Sequence, residues 1–477
     1  MTSPEHAASA LDLGLLAPGL AGSRVEAETG DGAYLQALLD AEAALARAQA
    51  RIGVVPQQAA EAITAAAQAE RFDLRRIALE ARSGGNPVIP LAAALRTAVD
   101  GWAADSGDAE KEGVAAYVHR GATSQDIMDT ATMLVADRAR TVILADLDRA
   151  AAALALLAAR YRSTPMAART LTQNAVPTTF GLKAAGWRAG LLDARDALAS
   201  LALPAQLGGA AGTLAALAPE DDPADVFDLV EGFAAETGLE VPELPWHVLR
   251  APIARLGGAL ALAAGALGKF AADVLVLGRT EIAEISQSGG GAGGSSAMPH
   301  KTNPVNAALI AAAARQVPAL ASVLYGSMVA EDERPAGAWH AEWQNLRQAL
   351  RLAGTAAELA AELAEGLDAQ PERMAENLLC THGLIVSERL VGALEPLLGR
   401  AGARRLLTSA SKAAVDEGVL LVEALIEEPE INALIDADRL SADGLAKLLD
   451  PAGYLGVAPE LVDRALRRVP LPPRKAK

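Results

Sequence analysis

The sequence predicts an all-α chain built round a bundle of long helices, and three observations carry that expectation. About half of its 477 residues are apolar and only 3% are aromatic, which suits closely packed helices better than sheets. Five segments, near 127–162, 178–202, 252–288, 304–330 and 340–367, read as long Ala/Leu helices. The first holds no glycine or proline and would run about 54 Å at 1.5 Å per residue. Apolar residues in these segments spread beyond one narrow stripe. Helices apolar on several faces are buried on several faces, so the bundle is expected to pack against copies of itself.

Taken in order, residues 1 to about 30 are rich in Gly, Pro and Ser and are expected to be irregular. A helix over 34–52 places Leu35, Leu38, Leu39 and Leu45 on one face and stops at Gly53. Pro56 opens a second helix and Asp73 caps a short third one. Ser83, Gly84, Gly85, Asn86 and Pro87 break the pattern before a helix resumes near Val88, and 105–108 reads as a boundary. The long helices then run from Asp126, the second ended by Pro204. Beyond about 370 the segments shorten, and 469–477 is a basic, proline-rich tail. The expected division is 1–108 as an N-terminal helical domain, 109–367 as the central bundle and 368–477 as a C-terminal helical domain.

Lys and Arg number 42 against 59 Asp and Glu, a formal charge of -17. An acidic surface argues against nucleic acid as a partner, and an anionic substrate would need local cations. Cys380 is the single cysteine. No intrachain disulfide is possible, and a reducing, cytoplasmic setting is expected. Its apolar helical context predicts a buried, inert thiol. The first thirty residues hold no basic start followed by an apolar run, and Lys269 and Asp273 interrupt the apolar stretch 256–277, so no membrane association is expected. No Cys/His/carboxylate cluster has metal spacing, and the run GGGAGG at 289–294 lacks the preceding strand of a phosphate-binding loop. No metal or cofactor is therefore expected. His247 and His382 read as structural.

Three stretches carry chemistry. HRGATSQD at 119–126 opens a long helix, where hydroxyls and free backbone N–H groups can hold a carboxylate; alone it also reads as capping by Ser124 or Asp126. RTLTQNAVPTTFG at 169–181 is a polar connector, alone an ordinary loop with a Thr cap. GGGAGG followed by SSAMPHKTNP, at 289–304, joins two apolar helices. Five glycines in six residues make a mobile backbone or a linker. Asn303 suits an N-cap before Pro304, so Ser295 and Ser296 would lie beside Lys301 and a positive helix end.

In this order and spacing the three stretches resemble the three signature regions of the fumarase/aspartase superfamily, and the resemblance covers nearly the whole chain. It implies a three-domain fumarase/aspartase-like fold, a homotetramer and active sites that each combine the regions from three subunits. Within the superfamily, 119–126, QLGGAAGTL at 206–214, ERPAGAWHAEW at 333–343 and LDPAGYLG at 449–456 are similar to the 3-carboxy-cis,cis-muconate cycloisomerase family. That family lactonises a small tricarboxylate diene to 4-carboxymuconolactone in protocatechuate (β-ketoadipate) breakdown, without a cofactor. The resemblance makes Ser295 the proton-transfer residue. Lys301, Asn303, Ser296, Thr123, Ser124 and Gln173 become candidates to hold the dianionic aci-carboxylate. Thr170, Met298, His300 and Arg334 join them as substrate contacts, and His119 as a catalytic candidate. Adenylosuccinate lyase carries a histidine, its general acid, where Leu171 stands here. Asn174 stands where relatives often carry another histidine. The alternatives are a lyase that releases fumarate, as adenylosuccinate lyase does, and a non-catalytic structural homologue.

Overall fold

The computed structural model describes residues 14–106, 113–217, 224–287, 298 and 301–474. The expected boundary at 105–108 falls partly outside these residues, and the glycine run, Ser295, Ser296 and His300 fall wholly outside them.

The chain is all-α, with two short strand pairs. Helices α1 (Arg24–Thr29), α2 (Asp31–Arg51), α3 (Gln57–Ala66), α4 (Leu74–Gly84) and α5 (Val88–Ser106) precede the bundle. Within the stretch expected to be irregular, Arg24–Thr29 is helical. The expected punctuation holds elsewhere: Gly53 at φ 77° follows α2, the Asp73 carboxylate accepts from the Arg76 N–H at 2.9 Å, and left-handed Gly85 closes α4.

The five long helices are α6 (Ser124–Arg160), α7 (Phe180–Ala199), α9 (Ala251–Leu277), α10 (Val305–Gly326) and α11 (Ala338–Glu365), with α8 (Ala224–Thr237) lying beside α2. Each packs on at least two of the others. Every residue from 125 to 136 of α6 is buried, so one chain alone surrounds this stretch. α9 ends eleven residues before the expected 288, since 278–284 turns and β3 (Ile285–Gln287) pairs antiparallel with β4 (Leu367–Ala369). The polar connector is a hairpin of β1 (Pro165–Thr170) and β2 (Gln173–Thr179), not a plain loop. Leu171 and Thr172, at φ 47° and 73°, form its two-residue turn, with the positive φ at both positions that such turns need. Gly181 starts α7 where a Cβ would lie 2.6 Å from the Arg162 Cα; only glycine lets the two helix ends meet so closely.

After α12 (Pro371–Leu379) come α13 (Ser387–Glu417, kinked at Gly399), α14 (Leu421–Ile426), α15 (Pro429–Asp436) and α16 (Ala442–Leu449). These share a separate apolar core that includes Leu390, Leu407, Leu425 and Leu445. One continuous core runs from Val25 through the bundle, and α17 (Ala458–Leu466) returns to it through Val462.

Candidate active site

The loop before α6 is bent by left-handed backbone at His119 (φ 60°) and Gly121 (φ 74°). A Cβ at Gly121 would run into the Leu217 side chain. Thr123, rather than Ser124 or Asp126, is the N-cap of α6; its N–H donates to Asp126 Oδ2 at 2.9 Å in a capping box. Asp126 does more than cap. It is fully buried and also accepts from the N–H groups of Gly208 and Gly209 at 2.9 and 3.0 Å. His247 Nε2 meets its Oδ1 at 2.7 Å. One carboxylate therefore ties the 206–214 loop to the 119–126 loop, with charge-assisted bonds. Arg334 closes the mouth, donating to Thr123 Oγ1 at 2.8 Å and to the Ala210 carbonyl at 3.1 Å.

Beneath this loop Arg250 lies buried between Asp129 of α6 and Glu342 of α11. Burial opposes its charge, but the two carboxylates outweigh it and hold its pKa above the ordinary guanidinium value. Trp339 Nε1 donates to Asp129 at 2.9 Å, and the Trp246 ring stacks on the guanidinium. Behind the loop, His119 Nδ1 lies 2.6 Å from Glu42 Oε1, and Gln49 Nε2 donates to the Arg120 carbonyl at 2.8 Å.

The hairpin end is built differently. Arg169 makes a bidentate pair with buried Glu284 at 2.9 and 2.7 Å, which anchors β1 to the segment after α9. Beside it opens a cavity of about 750 Å³ whose lining includes Arg169, Asn174, Lys183, Arg279, Arg373 and Cys380. Burial lowers the pKa of Lys183. Cys380 is exposed, not buried as its sequence context suggested, because it follows the last turn of α12; its thiol accepts from Asn174 Nδ2 at 3.1 Å. Thr170 and Gln173 flank the tip and are exposed, and Leu171 is 96% exposed. Lys301 is exposed, and its N–H donates to the Met298 carbonyl at 3.0 Å. Asn303 is not the N-cap of α10: Pro304 holds that place and the helix begins at Val305.

α9 starts beside Asp129 and ends at the hairpin, while α10 runs back along it, with Ala314 beside Gly268 and Leu324 beside Gly257. Lys301 and Asn303 therefore share the hairpin end with Thr170 and Gln173. His119, Thr123, Ser124 and Arg334 share the other end. The 37 residues of α6 separate the two by about 55 Å. Among the described residues of one chain, the sequence-predicted ones fall into two half-sites.

A family model described as "Lyase" matches residues 23–319, and one described as "Adenylosuccinate lyase C-terminus" matches 383–465. The chain belongs to the fumarase/aspartase superfamily of lyases. It is 56% identical to a nitrosuccinate lyase of Streptomyces davaonensis over 97% of this chain and 96% of that one. It is 44% identical to a 3-carboxy-cis,cis-muconate cycloisomerase of Pseudomonas aeruginosa over 91% and 92%. The crystal structure of 3-carboxy-cis,cis-muconate lactonizing enzyme from Pseudomonas putida superposes with a TM-score of 0.84 at 40% identity, covering 93% of this chain and 96% of that one. The all-α fold expected from the sequence is that of the superfamily.

Sequence reasoning missed Glu42, the buried Asp129, Arg250 and Glu342 cluster, and the depth of Asp126. A signal existed for Glu42: it falls seven residues after Leu35 and four after Leu38, on the apolar stripe of α2. A carboxylate on such a stripe must find a partner.

Proposed function

We propose that the chain is a lyase that expels nitrite from nitrosuccinate to leave fumarate. The 56% identity to a nitrosuccinate lyase, sustained over nearly the whole length, carries this reading. Leu171 supports it. An amine leaving group needs a proton donor, and adenylosuccinate lyase keeps a histidine at this place. Nitrite departs as a stable anion and needs none.

In the proposed chemistry the Ser295 alkoxide takes a proton from the carbon bearing no nitro group. The C–H electron pair forms the C=C bond, the C–N bond breaks, and its electrons leave with nitrite. Before that bond breaks, charge spreads into the adjacent carboxylate as a dianionic aci-form, so fixed donors lower the barrier most there. Lys301, Asn303, Gln173 and Thr170 are the donors proposed from the hairpin end, and Ser296, His300 and Met298 are further proposed substrate contacts. Thr123, Ser124, Arg334 and His119 are those proposed from the other end. The separation of the two half-sites by about 55 Å supports a complete site assembled from different subunits. Exposed apolar residues on α9 and α10, among them Leu262, Val323 and Tyr325, supply faces for a homotetramer.

A second reading is lactonisation of 3-carboxy-cis,cis-muconate, favoured by the cycloisomerase relatives. It uses the same aci-carboxylate and the same serine, which donates the proton instead of taking it. One assay separates the two. With nitrosuccinate, fumarate absorbance and nitrite should rise together, one to one. Loss of diene absorbance from 3-carboxy-cis,cis-muconate with no nitrite release would replace the elimination by the lactonisation. Cleavage of adenylosuccinate alone would replace both.

A further inference from the structure

Glu42 sits on α2, in a segment whose role the signature regions do not cover. Its side chain is 1% exposed, and Oε1 lies 2.6 Å from His119 Nδ1. Among the described residues no hydrogen-bond donor meets Oε2. A buried carboxylate with one partner is costly unless that partner is a cation. Three features hold the imidazole against it. His119 is fixed in a left-handed backbone, Gln49, seven residues along α2, grips the next carbonyl, and Arg96 Nη2 holds the preceding one, at Val118, at 3.1 Å. With Nδ1 committed to Glu42, the ring has Nε2 left, and no described residue accepts from it.

We propose that Glu42 is a positioning residue that fixes the His119 ring with Nδ1 inward and favours its protonated form, so that Nε2–H offers the site a cationic donor. The charged groups that face the ring are Glu42 on α2, Arg96 on α5 and Asp126 on α6. Burial works against the charged ring and Arg96 repels it. The hydrogen bond and charge of Glu42, helped by Asp126, outweigh both and raise the pKa of His119. The ligand this donor suits is an anion: a substrate carboxylate gaining charge, or the departing nitrite. That catalytic consequence rests on the elimination reading; the protonation of the ring does not.

The test reads the ring directly. The Cε1–H resonances of the full-length protein, labelled at its six histidines, are titrated, with His119→Asn to assign the signal. The wild-type midpoint should lie above the ordinary 6.5. Glu42→Gln keeps the shape and an acceptor but removes the charge, and should lower the midpoint by about one unit or more. Gln49→Leu loosens the loop without touching the ring and should leave the midpoint in place. In kcat/KM for nitrosuccinate, the limb assigned to His119 should move with the midpoint in Glu42→Gln.

A wild-type midpoint at or below 6.5 overturns the proposal, and does so even if Glu42→Gln fails to fold. So does an unmoved midpoint in Glu42→Gln, or an equal fall in Gln49→Leu, which would make loop geometry rather than charge the cause. A raised midpoint that falls in Glu42→Gln, in a protein that does not turn over nitrosuccinate, upholds the pairing and sinks the substrate reading instead.

Discussion

The two ends of the bundle solve different problems. At the Thr123 end, side chains from α6, from α11 and from the segment just before α9 form a buried polar cluster, with backbone N–H groups of the 206–214 loop: Asp126 with His247, Gly208 and Gly209, and Asp129 with Arg250, Glu342 and Trp339. Its loop is held by bonds made within the one chain. At the hairpin end the cations line an open cavity, and the candidate residues Thr170, Gln173 and Lys301 are exposed. One half-site is built by the chain itself; the other is left to be completed. Precise placement of transition-state donors is where catalysis gains most. A shared site can reach it by docking an adaptable end onto a fixed one.

The largest effect should come from splitting the two ends between chains. Ser295→Ala removes the proposed base, and Thr123→Ala with Arg334→Ala strips the opposite end. Each variant alone should lose about 10³-fold or more in kcat while keeping its fold and oligomeric state. Refolded together in equal amounts, they should regain about a quarter of wild-type activity if each site draws the two ends from different subunits. No recovery, with mixed oligomers shown by native mass spectrometry, would mean that the ends act within one chain or not at all.

Stability should separate the ends next. Asp126→Ala leaves two buried N–H groups and His247 without their acceptor, and Arg250→Met leaves two buried carboxylates unpaired. Each should cost about 3–5 kcal/mol in urea unfolding. Thr172→Gly at the hairpin tip replaces a left-handed residue with one that favours that backbone, so it should stay within about 0.5 kcal/mol. Similar costs at both ends would erase the contrast between a prebuilt half and an open one.

The long helices were legible because their signal is repeated over many turns, and no short-range choice overrides it. Asp73, Gly53 and Gly85 were legible because each satisfies a local rule. The hairpin was not: its strands have six and seven residues, each containing or starting with proline, and its pairing is a contact that periodicity does not encode. The end of α9 was missed for the same reason, since β3 stops it by pairing with a strand some eighty residues on. Asp126 was explained from sequence by a local rule, as one of two residues suited to cap the helix. Its other bonds, to Gly208, Gly209 and His247, come from segments far along the chain.

A smaller effect concerns pH. The pKa of His119 is raised in the fold, so its stabilisation is fully present below the unfolded value near 6.5 and is lost as pH rises through the folded value. Wild type should therefore exceed Glu42→Gln in stability most below pH 6.5, and the gap should narrow above the folded midpoint. Thermal melts of both proteins from pH 5 to 9 read this directly. A gap that is flat, or that widens with pH, would mean that the pair carries no net charge and that the Thr123 end is held by shape alone.

The smallest effect is expected from Leu171→His, which gives the hairpin tip the side chain that adenylosuccinate lyase keeps there. The tip is almost fully exposed in the chain, so the fold should not register the change. If nitrite leaves as an anion, an added acid has nothing to protonate, and kcat for nitrosuccinate should stay within about twofold of wild type. A tenfold rise would mean that departure of the leaving group limits the rate and gains from a proton, and the argument that Leu171 suits an anionic leaving group would fail. A fall of that size would place the tip closer to the reacting carbon than a spectator should be, and would make the apolar side chain itself part of what the hairpin end contributes.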